Sequence, residues 1–106
     1  MRFVELSGDR EIDRYESTAA RVRRLAAEAH VAVVEIRPGG AVGRHPAASR
    51  QLFAVARDSG WVAGGGGTRA PIEAGQAVLW EEGEDHESGS DDGMLAIVVE
   101  AAELGP

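Results

Sequence analysis

Three histidines, His30, His45 and His86, carry most of the chain's capacity for chemistry. None of the 106 residues is a cysteine, so disulfides, thiolate metal sites and cysteine nucleophiles are excluded. A neutral imidazole can take up a proton, accept a hydrogen bond or ligate a divalent transition metal. His45 lies in the stretch VGRHPAASRQLF and His86 in the acidic run EEGEDHE. Alternate residues of a strand share a face, so an unbroken strand would align His45 with Ala47, Gln51, Phe53 and Val55. The same parity places His30 with Ala32, Val34 and Ile36, and Glu84 with His86. It turns Asp85 and Glu87 away. Ser49, Ser59, Ser88 and Ser90 stand in turn-like contexts, and no nucleophilic triad stands out.

The neighbours of these residues have plainer readings. The acidic run is a solvated loop that, if it rims a pocket, disfavours anionic ligands and raises the pKa of His86. Trp61 and Trp80 are expected to pack in the core, as large aromatics mostly do. Arg44 reads as a solvated or ion-paired charge. The run Gly64 to Gly67 lacks the lysine and hydroxyl residue of a phosphate loop and falls between strands, so it reads as a flexible hairpin tip.

The elements that would position these groups are mostly β. HVAVVEIR is rich in β-branched residues and is followed by PGG, a turn signal; RQLFAVA is closed by RDSG. WVAG, APIEAG and QAVLW follow as further short strands. HESGSDDG reads as a loop, and MLAIVVEA as a final buried strand. Short strands about every ten residues, punctuated by Gly, Pro and Asp, predict a sandwich or barrel. Residues 17–29 are two-sided: their alanines and the spacing of Val22, Leu25 and Ala26 favour helix, yet ARVRRLA also accommodates a strand. Residues 1–16 read as an N-terminal arm with one short strand at Phe3 to Leu6, and residues 17–106 as a single domain.

Charge narrows the function classes. The net charge is −7, and acid is in excess after residue 72, so the basic face that nucleic acid requires is missing. The cluster Arg21, Arg23 and Arg24 reads as a solvated face. MLAIVVEAA is too short to span a bilayer, and the opening residues lack the apolar core of a signal peptide. The expectation is a cytoplasmic protein with no nucleic-acid or membrane partner.

Two segments together resemble the cupin family. In its first motif, Gly39 is followed after five residues by His45; Ala47 stands at the second histidine, Gln51 at the glutamate and Asp58 at the glycine. In the second, Gly75 leads to Glu81, which replaces the proline, then to Gly83, His86 and Ser90, the last replacing asparagine. The resemblance spans roughly residues 31–100. It implies an all-β, cupin-type jelly-roll barrel of two antiparallel sheets with little or no helix, and it tips residues 17–29 toward strand. It also implies a homodimer paired through edge strands.

In metal-binding cupins three histidines and a glutamate converge inside the barrel. Here Ala47 cannot ligate, and Gln51 offers a neutral amide oxygen. The resemblance therefore implies a pocket of His45, Ala47, Gln51, Phe53 and His86 that binds a small molecule. The alternative is a metal-dependent oxygenase or isomerase in which His45, Gln51 and His86 hold a divalent Zn, Ni, Fe or Mn. No catalytic residue is assigned.

Overall fold

The structure is a computed structural model; it describes residues 7–11, 16–25, 29–102 and 104. The strand expected at Phe3 to Leu6 lies outside these. Among the described residues eight strands follow in chain order: β1 (Ser7–Glu11), β2 (Thr18–Leu25), β3 (His30–Pro46), β4 (Gln51–Ala63), β5 (Arg69–Glu73), β6 (Ala77–Trp80), β7 (Asp85–Ser90) and β8 (Met94–Glu100). No helix occurs among the described residues, and every strand pair is antiparallel. β2 is a strand despite its alanines. Pairing of Ala20 through Leu25 with Ile36 through Val31 outweighs the helical propensity of the segment.

β3 and β4 are long because each serves two sheets. The first part of β3 pairs with β2 and β8, and its last part with β7. The first part of β4 pairs with β8 and β6, and its last part with β5 and β7. The circuit β3–β8–β4–β7 therefore closes on itself, forming a barrel of two antiparallel sheets joined by shared strands.

This arrangement corrects the reading of two turn signals. PGG does not end a strand; β3 runs through it, with Gly39 at φ +77° where the strand changes partner from β8 to β7. RDSG is the matching corner of β4, with Asp58 at φ +68°. A positive φ costs glycine little and other residues about 1 kcal/mol or more, so both corners sit where the chain turns sharply between sheets. HESGSDDG is also corrected: residues 85–90 form β7. Its small residues are needed there, because a Cβ on Gly89 would lie 2.4 Å from the Trp61 ring. Ser90 is buried, its hydroxyl donating to Ser59 O (2.6 Å) and accepting from Gly93 N–H (2.9 Å).

The core lies between the sheets. Inward residues alternate along the strands: Val34 and Ile36 from β3, Phe53 and Val55 from β4, and Met94, Ala96 and Val98 from β8. Val62, Ile72 and Trp80 complete it. Burying side chains of this size contributes about 1.5–3 kcal/mol each, which holds the strands that carry the histidines.

Candidate functional site

His45, near the end of β3, and His86, near the start of β7, face each other as a cross-strand pair. The register of β3 against β7 shifts between Val42 and His45. Upstream of that irregularity the buried residues of β3 are even-numbered (Val34, Ile36, Gly40), while His45 is odd and half-buried. The chain then leaves strand geometry at residues 47–50. The unbroken strand assumed for the parity of His45 to Val55 therefore does not exist, yet Ala47, Gln51, Phe53 and Val55 are all buried.

The ring of His86 stacks on Trp80, with centroids 4.3 Å apart and planes 28° from parallel. On its other contact it meets His45, again at 4.3 Å, with planes at 54°. Trp80 in turn meets Phe53 at 5.5 Å. His45, His86, Trp80 and Phe53 thus form a continuous series of four rings running into the core.

Both histidines fold Nδ1 back on a carbonyl two residues upstream. The distance is 2.7 Å from His45 to Gly43 O and 3.2 Å from His86 to Glu84 O. A carbonyl can only accept, so Nδ1 carries the proton in each ring. When His86 is neutral, its Nε2 is then a hydrogen-bond acceptor or ligand. The pKa of His86 is lowered. Burial is the main cause and the nearby charge of His45 adds to it; the Glu84 carbonyl and the charges of Glu84 and Asp85 oppose it. This corrects the upward shift expected from the acidic run, because desolvating the imidazolium outweighs the acids around it.

The other predicted residues take different parts. Gln51 is buried, lies opposite Trp80 in the β4–β6 register, and donates through Nε2 to Glu100 Oε1 at 2.6 Å. Ala47 is buried in the loop after β3; its N–H donates to Glu84 O (3.0 Å) and its carbonyl accepts from Gly83 N–H (2.8 Å). It therefore anchors the turn that leads into His86. His30, placed inward by parity, is exposed at the start of β3, because that strand has only just begun to pair. Glu84 does not turn its carboxylate to His86: Oε1 accepts from Glu81 N–H (3.1 Å) and Oε2 from Gly65 N–H (3.3 Å). Trp80, read only as core, is also the ring that backs His86.

At the rim, Arg44 donates to Gly64 O (3.0 Å) and Gly65 O (2.6 Å) and lies 3.8 Å from Asp85. The glycine run is a hairpin tip, closed by Gly67 N–H to Gly64 O, and residues adjoining both histidines grip it. Arg50 holds Glu81 through two nitrogens (2.8 and 2.9 Å) and donates to Leu104 O. The hydrogen bond to Arg50 lowers the Glu81 pKa, and the same bond raises that of Arg50.

A separate open groove of about 400 Å³ contains none of the five predicted pocket residues. Trp61, Arg69, Asp91 and Asp92 are among its lining residues, and the Arg69 guanidinium lies 3.7 Å from the Trp61 ring centre. Trp61 is thus half-buried at this groove rather than in the core, its ring packed against Gly89, where a side chain would collide with it.

The closed circuit of antiparallel strands, with a histidine from each of two facing strands, defines a cupin fold. The structure is similar to a cupin-like protein of Thermotoga maritima, with a TM-score of 0.78 and 21% identity, covering 100% of this chain and 86% of that one. It is also similar to the polyketide cyclase RemF of Streptomyces resistomycificus (TM-score 0.76, 20% identity, 100% and 82% covered). A predicted oxalate decarboxylase of Thermotoga maritima gives a TM-score of 0.68 at 20% identity, with 76% and 77% covered. No family model and no curated protein matches the sequence.

Such neighbours raise the question of a metal. Among the described residues no group of three or more His, Cys, Asp and Glu side chains could hold one. Two imidazoles remain, beside an alanine and an amide already bonded to Glu100. That donor set does not fit a catalytic centre, which ordinarily draws three protein ligands.

Proposed function

We propose that the protein binds a small, non-anionic organic molecule at the His45–His86 end of the barrel, and that it does so without a catalytic metal. The observation that carries this reading is the state of His86. Its Nδ1–H is committed to Glu84 O, burial lowers its pKa and so favours the neutral ring, and that ring is backed by Trp80. A neutral, desolvated Nε2 suits a ligand hydroxyl or N–H, and the aromatic series suits an apolar or planar body. Glu81, Glu84 and Asp85 around this end disfavour an anion.

The second reading is a metal-dependent oxygenase or isomerase. It is favoured by the carbonyl-held Nδ1 of both rings, the arrangement that orients histidine ligands in metal sites. One pair of measurements separates the two. Metal analysis of untagged protein prepared without chelator is expected to find far less than one equivalent of Zn, Ni, Fe or Mn, and the melting temperature is expected to ignore these ions. One equivalent, lost in a His45→Ala, His86→Ala double variant, would sink the metal-free reading. In a thermal-shift screen of small organic compounds, a stabilising hit is expected whose effect shrinks in His86→Phe. A broad screen without a hit counts against binding.

A further inference from the structure

We infer that the groove beside Trp61 is a second binding site, one that takes a small organic cation of the guanidinium class. The groove contains none of the histidine-site residues, so the inference is independent of the proposed function. It encloses about 400 Å³ where three elements meet: β4 contributes Trp61, β5 contributes Arg69 and Pro71, and the β7–β8 turn contributes Asp91 and Asp92. The backbone holds these walls in place. Trp61 pairs with Gly89 on one side and with Pro71 on the other. The turn that carries the two acids is tied to β4 by the Ser90 hydroxyl, which donates to Ser59 O and accepts from Gly93 N–H. The Asp91 carbonyl accepts from Gly39 N–H at 3.1 Å, and both aspartates are exposed.

The occupant is identified by the group that already lies there. The Arg69 guanidinium stacks over the Trp61 ring, 3.7 Å from its centre, where an indole face attracts a cation. Arg69 is exposed at the start of β5, and an exposed stack of this kind is weak. A ligand with the same charge and shape can therefore take its place. Asp91 and Asp92 supply the counter-charge. A planar guanidinium stacks on an aromatic ring through its face and pairs with a carboxylate through its N–H edge, so one head group uses both walls at once. An anion is disfavoured, because it gains Arg69 but meets two carboxylates on a chain of net charge −7. Arg69 is thus a built-in competitor for the ring face, and the ligand binds by displacing it.

The probe is butylguanidinium, titrated into the full chain and followed by proton–nitrogen correlation NMR. Saturable shifts of the Trp61 indole N–H and of the Asp91 and Asp92 amides are expected, with the His86 signals unmoved. Butylurea, similar in shape but uncharged, should bind at least about tenfold more weakly. Arg69→Ala clears the ring face and removes a like charge, so it should tighten binding by about threefold to tenfold. The double variant Asp91→Asn, Asp92→Asn should weaken binding by about tenfold. Trp61→Leu, read from the two aspartate amides, should weaken it by about as much. Dispersed amide spectra of every variant check that the barrel is intact. The inference is overturned by an absence of saturable shifts at millimolar probe, by butylurea binding as tightly, or by shifts centred on His86. Weaker binding in Arg69→Ala, or unchanged binding in the aspartate double variant, overturns it equally.

Discussion

If His86 is held neutral by burial, the fold must lose stability as the solution is acidified through the range where a free imidazole gains its proton. The sign follows from proton counting. The folded pKa of His86 lies below its unfolded value, so between the two the unfolded chain binds more protons and acid favours unfolding. The contribution is fully present above the unfolded value of about 6.5 and is lost progressively as pH falls toward the folded value. One proton sets a ceiling of about 1.4 kcal/mol per pH unit on the slope, and so about 1.4 kcal/mol at one unit below the unfolded pKa. Urea unfolding of wild type and His86→Phe at a series of pH values from neutral to mildly acidic measures it. Phenylalanine keeps a ring against Trp80 and removes the titrating group. The wild-type curve should fall more steeply than the variant's, and the His86 Hε1 resonance should titrate below the ordinary histidine range. Parallel curves, or a His86 midpoint at or above that range, would refute the claim that burial dominates the acids around it.

Other consequences are equally open to measurement. Trp80→Ala removes the ring between His86 and Phe53 and should cost about 3–5 kcal/mol in chemical unfolding, as for other buried aromatics. Gly89→Ala drives a methyl group into Trp61; a loss of about 1–3 kcal/mol and a change in indole fluorescence are expected. Asp58→Ala keeps the positive φ without a polar side chain and should destabilise by about 1 kcal/mol relative to Asp58→Gly, read from unfolding midpoints. Glu81 has a lowered pKa, so its contribution to stability is present above its unfolded value and lost as pH falls; Arg50→Met should flatten that acid limb.

The strands of the barrel were legible because β-branched runs alternate with turn formers, whereas placing His45 and His86 at one end rested on the cupin resemblance of two glycine–histidine motifs. The physical reason for three of the motif glycines is now visible: Gly39, Gly75 and Gly83 all have positive φ. What misled was local chemistry with two uses. PGG and RDSG have turn composition, but a corner in a long strand needs the same backbone freedom as a turn, and only the partner strands distinguish them. β7 was hidden because DHESGS has the composition of a loop, with no β-branched residue and with a glycine at position 89 where the Trp61 ring leaves no room for a side chain. The direction of the His86 shift was hidden because acids are countable in a sequence and burial is not. Glu100, which holds the Gln51 amide, had no signal at all, since its role depends on β8 lying beside β4 across nearly fifty residues of chain.

That placement of β8 also orders the molecule in time. β3 and β4 stay apart on one side until β8, the last of the eight strands, enters between them, pairing residues 94–100 with 30–36 and with 51–58. The ring of strands is then closed by β8, through contacts distant in sequence, which are slow to form. A growing chain must therefore hold the apolar inner faces of β3 and β4 in an open, sticky form until β8 arrives. The His45–His86 pair needs only β3 and β7, whereas the Gln51–Glu100 bond waits for β8, so the final strand completes the surroundings of the site rather than the pair itself.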